Sequence, residues 1–438
     1  MDLKIRFTRK YRSQPEKLCW LIVMLPFLFA GLIELLGLPG LLKYVLDAAW
    51  VVLLLFMLRF QKRIAVGRAK RLLVWTAVFL IYTFCGYLLQ FQSPLYYLWG
   101  VRNNFRFYAA FAAFAVFLSP RDAKGYLALF DKLFWVNVAV SLVQFFFLGK
   151  YGDYLGGLFG TAHGCNGYSF LFFSIVLTKS VIFYLEKKEK LWSCIAKFVA
   201  TVAIAAMAEM KFFFAVAVAI VVSAVLFTDF SWRKLSILVV GMGAIVAGAA
   251  LLAELFPSFG SVLDLQRLWE IATSNKGYTS SGDMNRLTAI PVINERFFDR
   301  WELKLVGFGL GNCDTSSFAF LNTPFFTQYE WLHYTWLSTA FMYMETGWIG
   351  MIFFFGFFIL AFCAIRKLET SCDGEVKAYC RIARIMAVVC IINAIYNSAL
   401  RTEAGYMAYF VLAIPFALTR QPAAPKVREV LGETGGTA

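Results

Sequence analysis

Apolar runs of about 17 to 22 residues recur from residue 18 to residue 418, each long enough to cross a hydrocarbon layer roughly 30 Å thick. Nothing else in the sequence narrows the fold as much. A soluble domain carries about 25% charged residues, whereas this chain carries 16%, with 60% hydrophobic and 18% aromatic residues. A transmembrane β-barrel would instead alternate polar and apolar residues over segments of about 10. The expected class is therefore an all-α polytopic membrane protein.

Twelve spans are expected, at 18–36, 44–58, 72–91, 105–118, 127–148, 167–185, 191–208, 212–227, 235–255, 348–365, 385–400 and 406–418. The basic N-terminus precedes an apolar run without a small-residue cleavage site, so that run reads as the first span. Residues 1–255 then hold spans one to nine. Residues 256–346 form a large external loop that ends in an interfacial helix over 331–344. Residues 347–419 hold spans ten to twelve, and 420–438 a mobile cytoplasmic tail. This arrangement places both termini and about 30 of the 42 Lys and Arg residues on the cytoplasmic side, as insertion bias requires. The net charge of +15 is thus spent on topology beside anionic lipid rather than on nucleic acid. Nine cysteines without CxxC or Cys/His spacing indicate no metal site. Cys165 and Cys313 fall outside, where they either pair or remain thiols.

The loop is the one long segment that is not strongly apolar. It carries Arg267, Arg286, Arg296, Arg300, Asp264, Asp283, Glu295 and Asp299, and a Gly-rich turn, GFGLGN. That turn lacks the following Lys and helix of a phosphate loop and reads as a tight turn. The other external cations are Lys43, Arg102, Arg106, Lys150, Lys211, Lys276, Lys304 and Arg401. Arg102 and Arg106 stand one helical turn apart and share a face. Lys211 lies beside Glu209, and Arg401 beside Glu403. Each cation serves equally as a headgroup anchor. As a group on the non-cytoplasmic face they run against the insertion bias, and guanidinium forks suit phosphate oxygens. Arg102, Arg106, Lys211, Arg286 and Arg401 are accordingly the candidate ligands for an anionic group at the membrane face. The only histidines are His163, in the flexible break GTAHGCNGYSF, and His333, in YEWLHYTWL. Either could move a proton or simply bond backbone at the interface.

Taken in order, SGDMNRLTAI, LVGFGLGN, a His and METGWIGMIFF resemble the O-antigen polymerase and O-antigen ligase superfamily of bacterial surface-polysaccharide assembly. LFGTAHGCNGYSFL and AEMKFFFAV resemble that family's lead-in to a middle span and the basic start of a later one. The resemblance extends to the architecture as a whole. It implies a multi-pass inner-membrane glycosyltransferase, inverting and independent of metal or cofactor, that works on a polyprenyl-diphosphate-linked glycan at the external face. Membrane lipids, a flippase and a chain-length regulator are the partners it implies. The family's external Arg falls on Arg286, its basic residue on Lys211, its loop His on His333 and its acidic motif on Glu345. Asn166, Glu209, Asn312 and Glu345 would support the site. The hydroxyl proton of the acceptor would go to His333, or to a loop carboxylate such as Asp283 or Glu330. In ligases the His commonly lies closer to the Glu than the twelve residues separating His333 from Glu345, which favours the polymerase branch. From another class, a transporter or flippase would need ionisable residues in mid-span. The candidates for those are Asp47, Asp131, Lys132, Lys179 and Lys197, which read as lying mostly near span ends.

Overall fold

A computed structural model describes residues 14–39, 42, 44–59, 67–228, 232–255, 282, 284–286 and 288–420. Asp283 lies outside the described residues, as do Lys43, Arg267 and Lys276. The described residues form helices and turns and contain no β-strand. Among the described residues nine helices precede the long loop: α1 (Gln14–Leu35), α2 (Val45–Arg59), α3 (Lys70–Leu89), α4 (Pro94–Phe117), α5 (Pro120–Leu148), α6 (Asn166–Leu185), α7 (Leu191–Met207), α8 (Phe213–Phe227) and α9 (Trp232–Leu255). The described part of the loop carries three short ones, α10 (Ala289–Arg296), α11 (Trp301–Val306) and α12 (Pro324–Tyr329). The chain closes with α13 (Ser338–Glu369), α14 (Gly374–Tyr396) and α15 (Gly405–Leu418).

Local signals explain the bounds. Ser119 caps α5 by accepting a bond from Asp122 N, Pro120 occupies its first turn, and Gly149 ends it in the left-handed region. At 29 residues, α5 is about 43 Å long. Five helices, α3, α5, α6, α13 and α14, are long and apolar enough to cross a bilayer, and shorter apolar helices accompany them. The apolar stretch of α6 is 89% buried and that of α3 only 22%, so α6 is central and α3 peripheral. The outward side chains of α3 are Val74, Val78, Leu80, Ile81, Phe84, Leu88 and Leu89. A soluble surface does not carry a contiguous belt of this kind, whereas hydrocarbon does. The structure thus suggests a membrane-embedded helical protein.

Two expectations need correction. The helix at the fourth span starts at Pro94, not near residue 105, so Arg102 and Arg106 lie inside α4 rather than in an external break. The interfacial helix expected at 331–344 is absent. Residues Glu330–Leu332 and Tyr334–Trp336 are 3-10 turns, and Ser338–Thr346 is buried helix running into α13 across a break at Gly347 (φ 59°, ψ −165°).

That break organises the glycine-rich turn. Breaking a helix strands carbonyls that need donors. Phe308 N donates to Met344 O at 2.8 Å and Gly309 N to Glu345 O at 2.9 Å. Tyr82 Oη donates to Thr346 O at 2.7 Å, and Gln90 Nε2 to Gly307 O at 3.1 Å. Gly311 (φ 91°) abuts the Tyr96 carbonyl so closely that a Cβ has no room. GFGLGN therefore wedges between α4 and the broken α13, as a tight turn whose amides are engaged by protein.

Candidate functional site

A buried polar cluster lies at the end of the bundle that carries the 282–337 loop. Arg102 pairs with Asp47 of α2 through Nε (3.0 Å) and Nη2 (2.6 Å), with its guanidinium over the Tyr44 and Trp99 rings. Asn103 Nδ2 donates to Asp314 Oδ2 at 2.6 Å. Arg106, only 4% exposed, reaches Glu403 Oε1 at 3.3 Å and Arg401 O at 3.2 Å. Tyr168 Oη donates to the other Glu403 oxygen at 2.6 Å. Glu345 is fully buried and its Oε1 accepts from Cys313 N at 3.2 Å. Its Oε2 has no hydrogen bond, and Arg401 lies within electrostatic reach of it. Burial pushes the Asp314 carboxyl up from its ordinary value, opposed by Arg401 and by the bonds from Asn103 and Thr315. Burial lowers the Arg401 guanidinium, with Asp314 and Glu345 pulling the other way. A guanidinium still keeps its proton at any working pH. Three arginines thus face four carboxyl groups, and the cluster is charge-compensated from within.

A second group forms the rim. Arg286 is exposed. Its Nε donates to Tyr396 O at 3.0 Å and its guanidinium lies 4.6 Å over the Tyr396 ring. The same ring stacks on Phe212 at 4.3 Å, which directly follows Lys211. Glu209 takes a left-handed conformation (φ 49°) in the same turn, and its carboxylate lies beside Gly152. His333, also left-handed (φ 49°), stacks on Trp336 at 3.9 Å. His163 meets the same Trp336 at 5.3 Å. Asn166 donates to Asp153 Oδ1 at 2.7 Å and to Ala208 O at 3.1 Å.

The site residues read from the sequence therefore divide. Arg286, Lys211, Glu209, His333 and Asn166 gather at the rim. Arg102, Arg106, Arg401 and Glu345 gather in the buried cluster beneath. Asn312 closes the glycine turn by donating to Phe308 O at 2.6 Å. Glu330 is exposed and its carbonyl accepts from His333 N. Arg300 is exposed beside Asp299. Cys165 and Cys313 are both buried free thiols, so no disulfide joins them. Among the described residues, no group of three or more His, Cys, Asp or Glu converges as a metal site would require.

Sequence reasoning missed Asn103, Asp153, Asp314, Tyr168 and Tyr396. The bonds that bring Asn103, Asp314, Tyr168 and Tyr396 into the site span 110 to 235 residues, so no local pattern marks those pairings. Two of the five nonetheless carried a local signal. Asn103 sits between the two singled-out arginines, and Asp153 lies in the same glycine-rich break as His163. The chain matches no protein-family model and no curated protein.

Proposed function

We propose that this protein is a membrane glycosyltransferase that polymerises polyprenyl-diphosphate-linked oligosaccharide repeat units into a surface polysaccharide. In this reading, twelve spans cross the cytoplasmic membrane with both termini inside, and the rim faces out. The observation that carries the reading is the exposed Arg286 guanidinium over the Tyr396 ring, which stacks on Phe212, next to Lys211 in sequence, and lies within electrostatic reach of Asp153, the partner of His163. A hydroxyl of one repeat unit attacks the anomeric carbon of another, and lipid diphosphate leaves. Both phosphates must be stabilised as that bond breaks, and preorganised cations at the membrane face do this. Arg286 suits the role because its Nε is fixed by Tyr396 while its terminal nitrogens make no hydrogen bond among the described residues. Arg102, Arg106 and Arg401 serve differently from the direct diphosphate ligation expected of them. Their charges are matched within the protein, so they hold the floor beneath the rim. The motif order quoted above supports the same reading, and the His333–Glu345 spacing favours polymerase over transfer to a lipid A-core.

The test is turnover of polyprenyl-diphosphate oligosaccharide, extracted from host membranes lacking this protein, by purified protein in liposomes. Release of polyprenyl diphosphate together with a polymer ladder is the expected result. Intact substrate after prolonged incubation with well-folded protein would remove the reading.

One observation favours a transporter or flippase as the second reading. Asp131 of α5 pairs with Lys179 of α6 and with Lys197 of α7 (3.0 Å), and Lys197 reaches Glu189 (2.9 Å). Both lysines are at most 6% exposed. Buried ionisable groups in a membrane bundle mark transport paths by default. Transbilayer movement of the same lipid in liposomes, lost in Asp131→Asn without any polymer formed by the wild type, would decide for this reading.

A further inference from the structure

His163 sits on a loop that reads as a flexible break and is in fact fastened at many points. Gln144 and Asn137 of α5 bond the backbone of Gly157 and Leu158, Gln144 through both its amide atoms (2.9 and 2.7 Å). Ser169 of α6 donates to Gly156 O at 2.8 Å. The Asp153 carbonyl accepts from Gly164 N (3.0 Å) and Cys165 Sγ (3.5 Å). Its carboxylate is held through Oδ1 by Asn166 at 2.7 Å, at the start of α6. The second oxygen, Oδ2, faces His163 Nε2 at 3.7 Å. The imidazole is bracketed by Tyr154 (5.5 Å) and Trp336 (5.3 Å). It is nevertheless about half exposed, like Asp153. Tyr396 lies within electrostatic reach of both Arg286 and Asp153, so this dyad and the rim guanidinium share one patch.

An imidazole with a carboxylate behind one nitrogen, a third group orienting that carboxylate, and an accessible second nitrogen is the arrangement a general base requires. We infer that His163, oriented by Asp153 and Asn166, is the base that activates the acceptor hydroxyl. The inference rests on the glycosyltransferase reading above and replaces His333, Asp283 and Glu330 in that role. The acceptor O–H proton passes to His163 Nδ1. The freed oxygen pair forms the bond to the anomeric carbon, and the anomeric C–O bond breaks with its electrons leaving on the lipid diphosphate. His163 then returns its proton to water. Asp153 is a positioning residue: its carboxylate, 3.7 Å from Nε2, offsets the imidazolium charge. His333, stacked on Trp336 at 3.9 Å, keeps that ring in place.

The experiment uses full-length protein in liposomes with polyprenyl-diphosphate oligosaccharide extracted from host membranes lacking it. Wild type, Arg286→Ala, His163→Ala and Asp153→Asn are compared, with protein per liposome measured in each. His163→Ala should lose on the order of 10² to 10⁴ in rate and regain part of it in added imidazole. Asp153→Asn should lower kcat by roughly 10-fold or more with KM nearly unchanged. Wild-type rates in His163→Ala, with Arg286→Ala inactive, would leave the glycosyltransferase reading standing and overturn this inference alone. A loss in His163→Ala that imidazole does not restore, with Asp153→Asn unaffected, would also overturn it. If His163→Ala does not accumulate, Asp153→Asn decides: a loss confined to kcat supports the inference and an unchanged kcat overturns it. A wild type that neither polymerises nor releases polyprenyl diphosphate removes the reading, and this inference with it.

Discussion

At the residue scale the arginines separate by what surrounds them. Arg106 is buried between Glu403 and the Arg401 carbonyl, and removing it takes the cation from a half-buried carboxylate and leaves a cavity in α4. Arg106→Ala should therefore lower the yield of monodisperse protein on size exclusion. Arg286 is exposed and its loss strands nothing, so Arg286→Ala should fold. As a fork for a phosphate oxygen pair, Arg286 is not replaceable by the point charge of Lys. Arg286→Lys should therefore lose on the order of 10² in polymer formation at normal membrane abundance. Normal polymer length on a gel from Arg286→Lys would reduce Arg286 to a headgroup anchor. The sequence made part of this legible. The four-residue spacing of Arg102 and Arg106 implies one shared face. It does not reveal that the face looks inward, because Asp47 and Glu403 reach them from 55 and 297 residues away, as Asp314 reaches the intervening Asn103 from 211. VRNNFRFY reads as a polar break for the same reason. Its polar atoms are satisfied inside the bundle, as when Asn104 Nδ2 donates back to Gly100 O at 2.9 Å. The pair Ser93–Pro94 carried a helix-start signal that hydropathy outweighed.

At the element scale the break in α13 matters most. Hydropathy separates 331–344 from the following span because Glu345 and Thr346 interrupt the apolar run. A short apolar stretch then looks interfacial. In the structure both interrupting residues are buried, because the glycine turn supplies the donors the broken helix lacks. The arrangement needs residue 347 at φ 59°, where a side chain would collide with the Leu305 carbonyl. An L-residue in that region costs about 1–3 kcal/mol before any collision is counted. Gly347→Ala should thus straighten α13 or expel α11 and the glycine turn. Limited proteolysis should then cut within 301–312, where the wild type resists. Unchanged protection of that segment would mean that the turn is held by α4 alone.

At the scale of the whole molecule, the two ends of the bundle differ in how they hold charge. At the loop end, Arg and Lys residues converge on a rim and a matched cluster. At the other end, ion pairs tie helix termini together: Arg381 bonds Glu369 (3.0 Å) and Glu186, Arg384 bonds Glu369, and Lys124 bonds Glu375. The surface lysines Lys187, Lys188 and Lys190 crowd the α6–α7 turn of that same end, and basic short turns face the cytoplasm during insertion. On the proposed topology the loop end faces out, the side where a lipid-linked glycan without nucleotide chemistry would be joined. Reporter fusions at Lys188 and Gly374 should accordingly read cytoplasmic, and one at Asn312 should read external. The outcome at Asn312 carries the most weight. Its amide closes the turn that positions Glu345, Cys313 and Asp314 beneath the rim. A cytoplasmic readout there would put Arg286, Lys211 and both histidines on the wrong face of the membrane for external polymerisation. The buried Asp131–Lys179–Lys197 network and the transport reading would then become the better account of the chain.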